Sequence, residues 1–102
     1  MRERDIENYL VKRVKAMGGE VRKVQWIGRR GAPDRLVMLP ERVRTGVFQN
    51  PMCAPAFSVW VELKAPGEVP ELHQLREHDR MRAMGQRVEV IDSLEGVEAL
   101  LS

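Results

Sequence analysis

Cysteine is almost missing from this chain. Cys53 stands alone, which excludes an intrachain disulfide and any cysteine-rich zinc site. Histidine is equally scarce. His73 and His78 are five positions apart, do not share a helix face and lack partners at metal-ligand spacing, so they are expected on the surface or along a groove. No apolar run approaches the roughly 20 residues that cross a bilayer. The opening stretch Met1-Arg2-Glu3-Arg4-Asp5 is charged where a signal peptide would be apolar. A cytoplasmic location and no membrane partner are therefore expected. Repeats and low-complexity segments are also lacking. Net charge is small, +2, although the pI is about 9.0.

The 102 residues suffice for one hydrophobic core and not for two, so a single domain over 1–102 is expected. The apolar share of 43% is that of a folding chain, and dimerisation would help so small a core. Basic residues are concentrated rather than abundant. Arg22, Lys23, Arg29, Arg30 and Arg35 fall in one stretch with no acid between Arg22 and Asp34. Such a run reads either as a solvated basic surface or as a set of backbone contacts to an anionic polymer.

Periodicity predicts a helix from Asp5 to Met17, with Ile6, Leu10, Val14 and Met17 on one side and Gly18-Gly19 ending it. Val21 to Ile27, Arg35 to Leu39 and Phe57 to Leu63 read as strands, the second nearly all apolar and expected to be buried on both faces. Glu41 to Pro55 has no clear period and reads as a long hairpin connection. A second helix is predicted from Glu71 to Met84, its period running through Leu72, Leu75, His78 or Asp79, and Met81 or Arg82, with Gly85 capping it. A strand over Arg87 to Ile91 follows, and then a short helix capped by Ser93. Three strands in an antiparallel meander, joined by a helix to a fourth, make an α/β sandwich with a mixed sheet. Trp26 and Trp60 read as packing residues.

The chemistry concentrates in Val61-Glu62-Leu63-Lys64. Alternation puts Glu62 and Lys64 on one face of a strand and Val61 and Leu63 on the other. Two charges on a buried strand are costly unless they are paired or hold an ion. They read either as a plain ion pair or as a carboxylate metal ligand beside a reactive lysine. Asp34 begins the neighbouring strand, and an antiparallel hairpin brings it next to Glu62. Two adjacent carboxylates repel unless a cation lies between them, and oxygen donors of this kind suit Mg²⁺. Such an ion could bind a scissile phosphate and acidify a water, while Lys64 orients that water or neutralises developing charge.

The ordered set Gly31-Ala32-Pro33-Asp34-Arg35-Leu36, Val61-Glu62-Leu63-Lys64-Ala65-Pro66-Gly67, and Gln74 followed by Gly85 resembles the PD-(D/E)XK nucleases. More narrowly it resembles their VRR-NUC subgroup, the virus-type replication-repair nuclease domains, over nearly the whole chain. The resemblance implies a restriction-endonuclease-like αβββαβ core, a mixed β-sheet flanked by helices. It implies divalent-metal-dependent endonuclease activity on DNA, with Mg²⁺ or Mn²⁺ and no small-molecule cofactor. A homodimer acting on branched DNA such as four-way junctions follows by the same resemblance, in the host cytoplasm if the chain is phage-encoded. Asp34 and Glu62 would be metal ligands, helped by the Leu63 carbonyl, and Lys64 the catalytic lysine. Glu7 would complete the site from the first helix, with Glu3 one turn earlier as the alternative. Gln74 matches a glutamine that such nucleases bring toward the site. Arg22, Lys23, Arg29, Arg30 and Arg35 are then the candidates for DNA backbone contacts. The stretch 41–55 departs from the pattern by its length. The rival reading is a DNA-binding or assembly module that keeps the fold and does not cut.

Overall fold

A computed structural model describes residues 1–45 and 51–102, the side chains of 43–45 and 51–53 excepted. Helix α1 (Glu3–Ala16) opens with Asp5 Oδ2 accepting from the Arg2 backbone N–H at 2.8 Å and buries Ile6, Leu10 and Val14 along one stripe. The chain turns at Gly18 and enters β1 (Glu20–Lys23). Gly19 is needed here for space, because a Cβ would lie 2.3 Å from the Met38 carbonyl oxygen. Strands β2 (Arg35–Leu39) and β5 (Phe57–Leu63) follow, separated by β3 (Arg42–Thr45) and β4 (Pro51–Ala54). Helix α2 (Leu72–Ala83), β6 (Val88–Ile91) and α3 (Leu94–Leu101) complete the chain.

The main sheet has the order β1-β2-β5-β6. Its first three strands are antiparallel, and β6 pairs parallel to β5 after the α2 crossover. This is the expected mixed sheet. Val37 and Leu39 of β2, Val59, Val61 and Leu63 of β5, and Ile91 of β6 meet α1 and the Val97, Leu100 and Leu101 face of α3. Each such side chain contributes about 1.5–3 kcal/mol when fully buried. The opposite face carries α2, through His78 and Met81, and it holds the buried Glu62, while the buried Arg35 lies on the α1 side.

Several expectations change in detail. β1 stops at Lys23 rather than Ile27. Val24 N–H still bonds the Asp34 carbonyl at 2.9 Å, but Trp26 then turns its Nε1–H to the Pro33 carbonyl at 2.9 Å, and Ile27 is exposed. β2 alternates rather than being buried on both faces, with Leu36 and Met38 partly exposed. The connection after Pro40 forms its own two-stranded sheet, β3 against β4, with Arg42 opposite Ala54. Residues 46–50 and the side chain of Cys53 lie outside what is described. On α2, Leu72 and Leu75 are exposed, and the buried residues are Glu77, His78 and Met81. Trp26 and Trp60 pack against each other, with ring centroids 5.1 Å apart.

Candidate active site

Strand register builds the site. Arg35 lies opposite Val61. One step further along this antiparallel pair sets Asp34 across from Glu62, on the sheet face that α2 covers. Glu62 retains only 9% of its surface, whereas half of the Asp34 side chain is open to solvent. Burial pushes the Glu62 carboxyl up to about 7. Lys64 opposes this, the charges of Asp34 and Glu3 add to it, and Arg35 opposes it again. Burial first, and the neighbouring acid in addition, thus make ionisation of Glu62 costly, which is the condition a bound cation relieves.

Lys64 sits one residue beyond β5, and its backbone N–H bonds the Ile91 carbonyl at 2.9 Å, so the parallel pairing extends to it. Its ammonium donates to Gln74 Oε1 at 2.9 Å. That oxygen also accepts the Glu71 backbone N–H at 2.8 Å, at the start of α2. One amide therefore ties the lysine to a helix terminus. Gly31 makes the approach of the two segments possible. Its φ is +87°, and a Cβ there would lie 2.8 Å from the His73 carbonyl oxygen, so the turn before Asp34 packs directly on the start of α2.

The first helix meets the site through an intermediary. Glu7 Oε2 accepts from Arg35 Nη2 at 2.8 Å, and Arg35 Nη1 lies 2.9 Å from Asp34 Oδ1. Arg35 is buried and spans two carboxylates. It was expected among the backbone-contacting residues, but its position on the β2 face toward α1 commits it to Glu7 and Asp34 instead. Glu7 is correspondingly engaged by Arg35 rather than free beside Glu62. Glu3 is exposed, and its charge reaches Glu62.

The remaining basic candidates divide. Arg22 pairs with Glu20 at 2.6 Å on the exposed edge strand, and Lys23 is exposed beside it. Arg29 forks onto Glu77, with Nη2 2.5 Å from Oε1 and Nε 3.2 Å from Oε2. Arg30 is exposed.

His78 was expected at the surface or in a groove and is instead fully buried, with Nε2 3.3 Å from Glu62 Oε1. Burial lowers its pKa, with Arg82 acting in the same direction, so the imidazole is neutral. The tautomer with its proton on Nε2 donates to an ionised Glu62. Nδ1 is then a buried acceptor without a hydrogen-bond partner. The available signal was the four-residue step from Gln74, which puts both side chains on one face of α2.

Among the described residues no group of three or more His, Cys, Asp or Glu is placed to hold a metal. The donors present are two carboxylates, Asp34 and Glu62, beside the Leu63 backbone carbonyl. That set suits Mg²⁺, which keeps several waters and takes one or two carboxylates, better than a closed zinc site.

The fold and the face carrying Asp34, Glu62 and Lys64 define an α/β domain of the nuclease class. No family model matches the chain. It is 44% identical over 93 residues to "Putative nuclease p44" of Acyrthosiphon pisum secondary endosymbiont phage 1, covering 91% of this chain and 85% of that one. A solved structure described as a VRR_NUC domain superposes with a TM-score of 0.74 at 39% identity, covering 97% of this chain and 92% of the other. The chain belongs to the VRR-NUC family of nucleases.

Proposed function

We propose that this protein is a divalent-metal-dependent endonuclease that hydrolyses phosphodiester bonds in DNA, using Asp34, Glu62 and Lys64. The observation that carries this is the convergence of two adjoining carboxylates, one of them buried, with an ammonium group fixed by Gln74. Mg²⁺ or Mn²⁺ bound by Asp34 and Glu62, with the Leu63 carbonyl, would supply Lewis-acid activation of water and stabilise charge on the phosphate.

The chain's own groups perform the rest. Lys64 presents a positive charge to the phosphate and orients the attacking water, and Gln74 fixes the ammonium in place. Arg35 holds Asp34 in its rotamer and neutralises Glu7, so the helix carboxylate does not repel the substrate from below. His78 steadies Glu62 from the α2 side.

Branched DNA is the preferred substrate in this reading, and the working unit is a homodimer. The described core elements follow one another from Glu3 to Leu101 with only the β3–β4 ribbon added, which leaves little machinery for reading base sequence within this domain and favours recognition by shape. One chain offers one candidate site, and two sites related by a two-fold axis are needed to cut both strands of a symmetric four-way junction.

The test is cleavage of a labelled four-way junction in Mg²⁺ or Mn²⁺, beside duplex, flap and single-stranded controls. Lys64→Ala is expected to lower the rate by about 10²-fold or more. Wild-type protein that folds and cuts no substrate would instead favour a binding or assembly module.

A further inference from the structure

Beside the catalytic face, between the turn that follows β1 and helix α2, lies a cleft of about 550 Å³ lined by Gly28, Arg29, Arg30, His73, Arg76 and Arg80. Its charged lining is cationic. Glu77, 3% exposed, lies behind it, and Oε1 of that carboxylate accepts from Arg29 Nη2 at 2.5 Å and from Arg80 Nε at 2.9 Å. Arginines from two separate elements are thus cross-linked through one buried acid and held together against their mutual repulsion. Four guanidiniums against this one carboxylate leave a surplus of three positive charges. Arg30 and Arg76 are exposed and form no ion pair among the described residues. His73 Nδ1 lies 3.4 Å from Glu71 Oε2 at the rim.

We infer that this cleft is a preformed anion site that grips a sugar-phosphate segment of the substrate strand next to the scissile phosphate. The identity of the anion as DNA rests on the nuclease reading above. Three features point this way. Guanidinium groups bind phosphate oxygens bidentately, and here two are immobilised while two keep their donors free. Both walls of the cleft belong to segments that also carry residues of the catalytic face. Arg30 lies four residues before Asp34 on one turn, and His73 precedes Gln74, the partner of Lys64. On α2 the stripe His73, Arg76 and Arg80 adjoins the stripe Gln74 and His78, which serves Lys64 and Glu62. A strand presenting one phosphate to the carboxylates runs directly past the arginines.

The test separates binding from cleavage. Fluorescence anisotropy of a labelled DNA duplex is measured in EDTA at several salt concentrations. The variants are Arg30→Ala/Arg76→Ala and, as a charge-matched control on the opposite helix, Lys12→Ala/Lys15→Ala. Melting curves confirm folding, and the cleft variant removes only unpaired, exposed groups. The cleft variant is expected to weaken binding about tenfold and to reduce the slope of log K against log salt by about two, while the control leaves the slope unchanged. A folded cleft variant with the wild-type slope overturns the inference, and so does a control that loses as much slope as the cleft variant. Wild-type protein that shows no salt-dependent DNA binding overturns it too. If wild type binds through the cleft but cuts nothing in Mg²⁺, the cleft stands and the nuclease reading falls. If wild type cuts while the cleft variant binds normally, the reverse holds.

Discussion

At the residue scale, the unusual group is Glu62, an acid buried beside another acid. Its pKa, raised to about 7, lies above the ordinary 4.5, so folding favours its neutral form. The stability it contributes is full below about 4.5 and is lost as pH rises through about 7. His78, with its pKa lowered by burial, acts with the opposite sign below its ordinary 6.5, so the comparison must be with a variant. In EDTA, Glu62→Gln is expected to lose the decline in melting temperature that Glu62 imposes between pH 4.5 and 7. Thermal melts of both proteins across that range check this. The contact of His78 with Glu62 gives a second expectation. His78→Gln, which keeps a donor near Nε2, should retain metal affinity within a few-fold. His78→Leu should weaken metal binding by about 10–100-fold, the usual effect of removing a group that orients a ligand. Calorimetric titration with Mn²⁺ measures this without reference to cleavage.

At the element scale, α1 and α3 share the apolar core and are also clasped through the Glu98 carboxylate. Glu98 accepts from Tyr9 Oη at 2.5 Å and from Arg13 Nε at 2.7 Å and Nη2 at 3.1 Å. Hydrogen bonds from Arg13 and then Tyr9 hold its pKa down at about 2. This is a depressed acid, so its stabilising effect is present above about 4.5 and is lost as pH falls toward 2. Glu98→Gln is expected to flatten the acid limb of the stability curve while leaving stability above pH 7 lower than wild type. Urea titrations at pH 3, 5 and 7 read both effects. The same helix pair covers the apolar sheet face, so loosening it exposes Leu100 and Leu101 rather than the face of Glu62 and Lys64. Cleavage rates near neutral pH should therefore change little.

At the scale of the whole molecule, the sheet has two unlike faces. One packs α1 and α3 in a dry core, and the other carries Glu62, His78 and the arginine cleft under α2. A divalent ion bound by Asp34 and Glu62 is expected to stabilise the protein by about 2.7 kcal/mol at a hundred times its Kd. Asp34→Asn/Glu62→Gln should melt at one temperature with or without Mg²⁺. Differential scanning calorimetry over a Mg²⁺ series decides it, and a wild-type melting temperature indifferent to the ion would remove Asp34 and Glu62 from the role of metal ligands.

The amino-acid order by itself determined the order of the core elements, though not the β3–β4 ribbon, and the pairing of chemistry with strands. Alternation in Phe57–Leu63 is a local property, so it placed Glu62 apart from Val61 and Leu63 without any knowledge of neighbours. The turn at Gly31-Ala32-Pro33 likewise announced the strand that begins directly after Asp34. Tertiary structure decided what distant segments do to one another. That Arg35 serves Glu7 and Asp34, that His78 is buried against Glu62, and that Glu77 gathers Arg29 with Arg80 depend on which helix lies on which sheet face. Helical spacing put Leu72, Leu75, His78 or Asp79, and Met81 or Arg82 on the buried side of α2; packing buried His78 and Met81 of these, added Glu77, and left Leu72 and Leu75 exposed. The reason is that a helix rotates to satisfy the surface it meets. Here that surface presents the buried Glu62 carboxyl, which His78 meets, and the Arg29 guanidinium, which Glu77 meets, and buried polar groups need polar partners.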